Sequence, residues 1–253
     1  MQQFEREPPI DWGPAIWGLR QWYATEAGAV LHARVAARVE FLLRNRYARH
    51  CLQIGGTQYG VDLLTGRALL HRIHVSGDGA DGLRARPCAL PLASGSVDLV
   101  VLCHALEFHD DPHALLREID RVLTLDGRII VIAFNPWSLL GLGRLLGARA
   151  APWCGRFYSP GRLTDWFDLL GWRVQRRETL AFAPPIQWRP ARRWLDELER
   201  LQRWLPAHGG VQIQMGQKHS IPLTPEPAAR IRVKQPALRP VVTPRRSVEA
   251  EWR

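Results

Sequence analysis

Lysine is nearly absent: of 34 basic residues only Lys218 and Lys234 are not arginine. The arginine preference is therefore global and is not by itself a phosphate-binding adaptation. The four cysteines, Cys51, Cys88, Cys103 and Cys154, are widely separated and show no paired metal-ligand spacing, so no metal centre is expected. Three of them lie in or near apolar, strand-like runs, where a reduced thiol acts as a small hydrophobe, and this predicts a reducing, cytoplasmic setting. The longest uncharged run, residues 129–143, falls short of the roughly 20 residues that cross a bilayer and is interrupted by Asn135-Pro136. It reads as a buried strand and a loop, with no membrane span. The first seven residues lack the basic start and apolar stretch of a secretory signal, which predicts no export. No internal repeat is visible.

What is present is a chain of 253 residues, 46% hydrophobic, long enough to bury one full core. The formal charge of +10 is unevenly placed. Residues 228–253 carry Arg230, Arg232, Lys234, Arg239, Arg245, Arg246 and Arg253 against Glu249 and Glu251, and prolines flank or interrupt the stretch. It reads as a basic, irregular arm that favours polyanions, with nucleic acid as a partner or solubility as its plain role. The expected organisation is a helical extension over 1–48, one domain over 49–225 and the tail over 226–253.

The most informative stretch is residues 97–135, which reads as strand, loop, helix, turn and strand. Leu99–Leu102 is short and Val-rich, as a strand covered on both faces is. Asp110 or Asp111 can cap the next helix, Pro112 suits its first turn, and Leu115, Leu116, Ile119, Val122 and Leu123 form one apolar face. Gly127 is expected to end that helix in a left-handed conformation, and residues 129–133 to open the next strand. Around this unit, 27–43 reads as a helix with the stripe Leu31, Val35, Val39 and Leu42, and Trp12, Trp17 and Trp22 precede it as anchors or as a lid over 12–23. Cys51–Ile54, 70–75 and 83–85 read as strands and Val61–Leu64 as the start of a helix. Further on, Ser159-Pro160 opens a helix ending at Gly171, 172–182 reads as a strand, 188–205 as a charged amphipathic helix and 209–223 as a closing strand.

The segment Leu90-Pro91-Leu92-Ala93-Ser94-Gly95-Ser96-Val97-Asp98-Leu99-Val100, followed by His104-Ala105-Leu106-Glu107-Phe108 and Asp111-Pro112, resembles the central signature of the class I, type-11 S-adenosylmethionine (SAM)-dependent methyltransferases. A looser resemblance covers about residues 50–180. It implies an α/β fold with a doubly wound, mostly parallel seven-stranded sheet, Rossmann-like, with cofactor and acceptor at the carboxyl ends of the strands. It also implies SAM as cofactor and transfer of its methyl group to an unidentified acceptor, either a small molecule or a macromolecule.

The resemblance places the cofactor site on specific residues. The family's glycine-rich turn after the first strand falls on Gln53, Gly55, Thr57 and Tyr59, so glutamine replaces the usual acid, and Gly56 and Gly60 can compensate for missing glycines. Ser76 stands at the ribose-binding acid, with Asp78 as a substitute, and Arg86 near the adenine end, ahead of the segment containing Leu90. His104 lines the pocket after the fourth strand. It is a candidate base through its imidazole, or a residue that merely packs beside the cofactor. Glu107 and His109 share its loop. Asn135-Pro136-Trp137-Ser138 is a turn at the carboxyl edge where acceptors bind, which makes Asn135 and Trp137 candidates for substrate contact. The altered Gln53, Thr57, Ser76 and Arg86 positions support the other reading, a non-catalytic binding protein on the same fold with a degraded SAM site, associated with nucleic acid through its tail.

Overall fold

In the computed structural model the described residues are 13–56, 61–64, 69–76, 82–138, 140–141, 153–180 and 209–219. The chain divides into Met1–Ser220 and Ile221–Arg253, and everything described belongs to the first unit. The expected helix over 188–205 and the basic tail lie outside the described residues, as do Trp12, Thr57, Tyr59, Gly60 and Asp78.

Two helices, α1 (Gly13–Tyr23) and α2 (Glu26–Leu43), precede strands β1 (Ala48–Ile54), β2 (Leu69–Ser76), β3 (Leu83–Arg84) and β4 (Val97–Cys103). Helix α3 (Pro112–Val122), β5 (Leu123–Phe134), α4 (Pro160–Leu169), β6 (Trp172–Leu180) and β7 (Val211–Lys218) follow. The strands form one seven-stranded sheet in the order β3-β2-β1-β4-β5-β7-β6. Pairs among β1 to β5 are parallel, and β7 runs antiparallel to both β5 and β6. The sheet is thus doubly wound and mostly parallel, and chain order reverses between β1 and β4, the position at which such sheets open a crevice.

Alternation along the central strands divides the core. Leu99 and Val101 of β4, Ile130 and Ile132 of β5 and Ile213 of β7 face α1 and α2, whereas Val100 and Leu102, Val131 and Ala133 face α3 and α4. Thr25 caps α2 by accepting from the Gly28 N–H at 3.2 Å and donating to the Trp22 carbonyl at 2.6 Å. The turn between α1 and α2 is tight enough that a Cβ on Gly28 would lie 2.2 Å from the Trp22 carbonyl oxygen. Arg38 of α2 forms a two-pronged ion pair with Glu178 of β6, a bond that raises the arginine pKa further.

Two local expectations need correcting. Gly127 does not end α3: the helix stops at Val122, and Gly127 is not among the left-handed glycines. The chain enters β5 at once. The N–H groups of Gly95 and Ser96 bond to the carbonyls of Arg121 and Val122, each at 2.9 Å, so backbone from before β4 satisfies the helix end that a glycine cap would otherwise serve. The pairing shifts from Val97↔Leu123 to Leu99↔Arg128, and Gly127 belongs to the bulge between. Nor do Val61–Leu64 start a helix. They are non-helical and, Asp62 excepted, buried, because the Val61 carbonyl and Leu63 N–H bond to the Gln53 side chain instead of to helical partners.

Of the cysteines, Cys51 and Cys103 are buried in β1 and β4, while Cys88, in an exposed turn, and Cys154 are open to solvent. So two thiols, not three, act as core hydrophobes. Burial, and secondarily Asp98, pushes the Cys51 thiol up to about 11. Ellman's reagent should therefore label two thiols rapidly in the native protein and the other two only after unfolding, and fast reaction of Cys51 would contradict this packing. Among the described residues, no helix is long and apolar enough to cross a membrane and no side-chain group could hold a metal ion.

Candidate functional site

Parallel pairing brings the carboxyl ends of β2, β1, β4 and β5 into one row. Ile54 lies beside Val75 on one side and Leu102 on the other, so the next residues, Ser76, Gly55 and Cys103, share a level. Cys103 pairs with Ile132, whose carbonyl accepts from the His104 N–H at 2.9 Å. Phe134 then stacks on the His104 ring at 3.9 Å, and Asn135 follows it. Ser76, Gly55, Gly56, His104 and Asn135 are thus gathered along one edge. Leu90 is not. Its N–H donates to Glu118 and its carbonyl accepts from Arg121, so its backbone is engaged by the second half of α3. Arg86 is exposed, bridged to Ala89.

Gly55 and Gly56 turn the chain away from β1 with φ of +76° and +90°, backbone that L side chains rarely adopt. A Cβ on Gly55 would lie 2.3 Å from the Cys103 carbonyl oxygen, and one on Gly56 would lie 2.5 Å from Gln53 Nε2 and 2.7 Å from the Val61 carbonyl oxygen. The β1 turn therefore touches the end of β4 directly, and neither position admits a side chain.

His104 is the only non-glycine described residue with positive φ, at +50°. Such backbone persists where surroundings over-determine it. Here both ring nitrogens are engaged: Nδ1 lies 3.0 Å from Glu107 Oε1 and Nε2 lies 2.7 Å from the Tyr23 hydroxyl. Glu107 Oε1 also accepts from the Phe134 N–H at 2.8 Å. A carboxylate can only accept, so Nδ1 carries the proton and Nε2 accepts from Tyr23. Burial first, then the neighbouring Cys103 and Glu107, raises the Tyr23 pKa well above its ordinary value, so the phenol keeps the proton it needs to donate to Nε2. The chain Tyr23–His104–Glu107 is buried throughout, and Glu107 Oε2 has no hydrogen-bond partner. Sequence reasoning treated Tyr23 only as part of an N-terminal lid. Its partner is 81 residues away, a separation with no local signal, and the contact carries the end of α1 onto the carboxyl ends of β4 and β5, where Trp22 also meets Phe134 edge-on.

Asn135 is a buried turn anchor. It donates to the Gly209 carbonyl at 2.9 Å and accepts from the Trp137 N–H at 3.0 Å, and the Ser138 hydroxyl donates to its carbonyl. Trp137, presented by that turn, is 69% exposed. Asn135→Ala should cost about 2 kcal/mol, since it strands a buried carbonyl and an N–H, whereas Trp137→Ala should change stability by less than about 0.5 kcal/mol. Urea unfolding of both variants tests the division between anchor and presented ring.

Residues 44–131 match the model of a family described as methyltransferase domain. The Escherichia coli (strain K12) protein YafS, described as uncharacterized, is 31% identical over 241 residues, covering 94% of each chain. The chain belongs to the class I SAM-dependent methyltransferase family. Solved structures agree at the level of the fold. A SAM-dependent methyltransferase from Thermotoga maritima superposes with a TM-score of 0.57 at 19% identity, over 78% of this chain and 93% of that one. One from Archaeoglobus fulgidus gives 0.53 at 17% identity, over 74% and 94%.

SAM is the cofactor of this methyltransferase family, and the row of strand ends tests whether it fits here. It does so at the glycine turn, where two left-handed glycines without room for a side chain stand at the point of strand-order reversal. On β2, Ser76 follows Val75, the partner of Ile54, and so stands level with Gly55.

Proposed function

We propose that this methyltransferase-family chain binds SAM across Gly55, Gly56 and Ser76 and transfers its methyl group to an acceptor admitted beside the Asn135–Trp137 turn. The observation that carries this reading is the close packing of the left-handed glycine turn against the end of β4 at the strand-order reversal. SAM, when bound, supplies an electrophilic methyl group; transfer needs mainly in-line placement of the acceptor. The chain's own contribution is accordingly positional. His104 serves by holding, not as a free base: both nitrogens are occupied, and its bond to Tyr23 fastens the end of α1 to the strand ends. Trp137 offers an exposed indole face to an acceptor with an apolar or planar surface.

Calorimetric titration of the full chain with SAM and with S-adenosylhomocysteine tests the reading. Micromolar binding of both supports it. No heat up to near-millimolar ligand would replace it with the non-catalytic reading, in which the fold is kept and the cofactor is not.

A further inference from the structure

We infer that Gln53 is the positioning residue of the cofactor turn, and that its carboxamide does what a carboxylate at that position could not; the inference rests on the SAM-binding reading above. Gln53 is fully buried at the end of β1. Its Nε2 donates to the Gly55 carbonyl at 3.0 Å and to the Val61 carbonyl at 2.6 Å, and its Oε1 accepts from the Leu63 N–H at 2.9 Å. One side chain thus ties the first glycine of the turn to the segment where the chain re-enters the core. Both amide hydrogens and the oxygen are used.

This pattern matters because of how the described part of the connection is held. Fourteen residues, 55–68, separate β1 from β2, and the described ones among them, Gly55, Gly56 and Val61–Leu64, contain no helix. Parallel strands are usually joined through a helix, whose regular hydrogen bonds fix the loop before it. Among the described residues no helical bond holds the loop: the Val61 N–H donates to the Gly56 carbonyl at 2.9 Å, and the Gln53 carboxamide serves the buried carbonyls of Gly55 and Val61. A glutamate could accept from Leu63 but has no hydrogen for either carbonyl, and its charge would face two carbonyl oxygens in a dry site. The glutamine is therefore matched to its surroundings rather than a decayed acid. The contact at 2.5 Å between Nε2 and the position of a Gly56 Cβ shows that the staple and the side-chain-free glycine are fitted to each other.

The test compares wild type, Gln53→Glu and Leu116→Ala, a buried α3 variant outside the turn that serves as a destabilised control. S-adenosylhomocysteine affinity is measured at a temperature where circular dichroism shows all three folded. The expected result is at least a tenfold loss of affinity in Gln53→Glu and none in Leu116→Ala. A second readout is the pH dependence of Tm. A glutamate at 53 has a folded pKa raised by burial and by the facing carbonyls, so its destabilisation should be large at pH 8 and shrink as the pH falls through that pKa. Affinity in Gln53→Glu equal to or above wild type, with wild type itself binding, would overturn the inference and mark the glutamine as a lost acid. Failure of wild type to bind would instead overturn the SAM reading, and the inference with it.

Discussion

Glu107→Ala should lower the unfolding free energy by about 3–5 kcal/mol, since it strands two buried donors, the Phe134 N–H and His104 Nδ1, each worth roughly 1–3 kcal/mol. For a chain of this size that corresponds to a fall in Tm of about 10 °C. The effect should not stop at the loop. Without Glu107 nothing described fixes the His104 tautomer, so Nε2 is no longer held as the acceptor for Tyr23, and the α1–α2 turn loses its bond to the sheet. Tyr23→Phe should cost less, about 1–2 kcal/mol, because it removes one bond and leaves only Nε2 unpaired. The double variant should lose less than the sum of the two, since Glu107 and Tyr23 act through the same imidazole. Thermal and urea unfolding of the three variants measures this. Strict additivity would show that the two bonds are independent, and a loss below about 1 kcal/mol for Glu107→Ala would show that the carboxylate is not a buried hub.

This network marks where the sequence ceased to be informative. The sheet was readable because its central strands are short runs of Val, Ile and Leu, and the structure buries them on both faces: Ile129 through Phe134 are fully buried. The start of α3 was readable because capping is local; Asp111 accepts from the Ala114 N–H three residues on. Its end was not, because the groups that satisfy it come from Gly95 and Ser96, on the approach to β4, and Gly127 offered a plausible local substitute. Of the site, Gly55, Gly56, Ser76 and His104 were legible as positions on strand ends, since parallel register converts sequence position into a shared level. What those residues do was not legible. Gln53 looks like a missing charge until its three hydrogen bonds are seen, and His104 looks like a free imidazole until Tyr23 and Glu107 are placed on either side of it.

Gly55→Ala should abolish S-adenosylhomocysteine binding and cost at least about 3 kcal/mol, well beyond the roughly 1 kcal/mol that alanine usually loses in left-handed backbone. The excess comes from contact. The new methyl would sit 2.3 Å from the Cys103 carbonyl oxygen, a separation that no rotamer can relieve because both groups are backbone-fixed. Either the turn lifts off β4 or the end of β4 shifts, and a shift there moves His104, the next residue, against Phe134, Tyr23 and Glu107. Gly171→Ala supplies the comparison: Gly171 has a similar φ of +70°, but a Cβ there would have nothing within 4 Å. That variant should lose about 1 kcal/mol and keep full affinity. Unfolding and calorimetry on both then separate the two contributions. Equal losses in the two variants would mean that backbone conformation alone demands glycine at 55. A larger loss in Gly55→Ala, with binding gone while the fold persists, would show that the approach of the β1 turn to β4 is what builds the cofactor site.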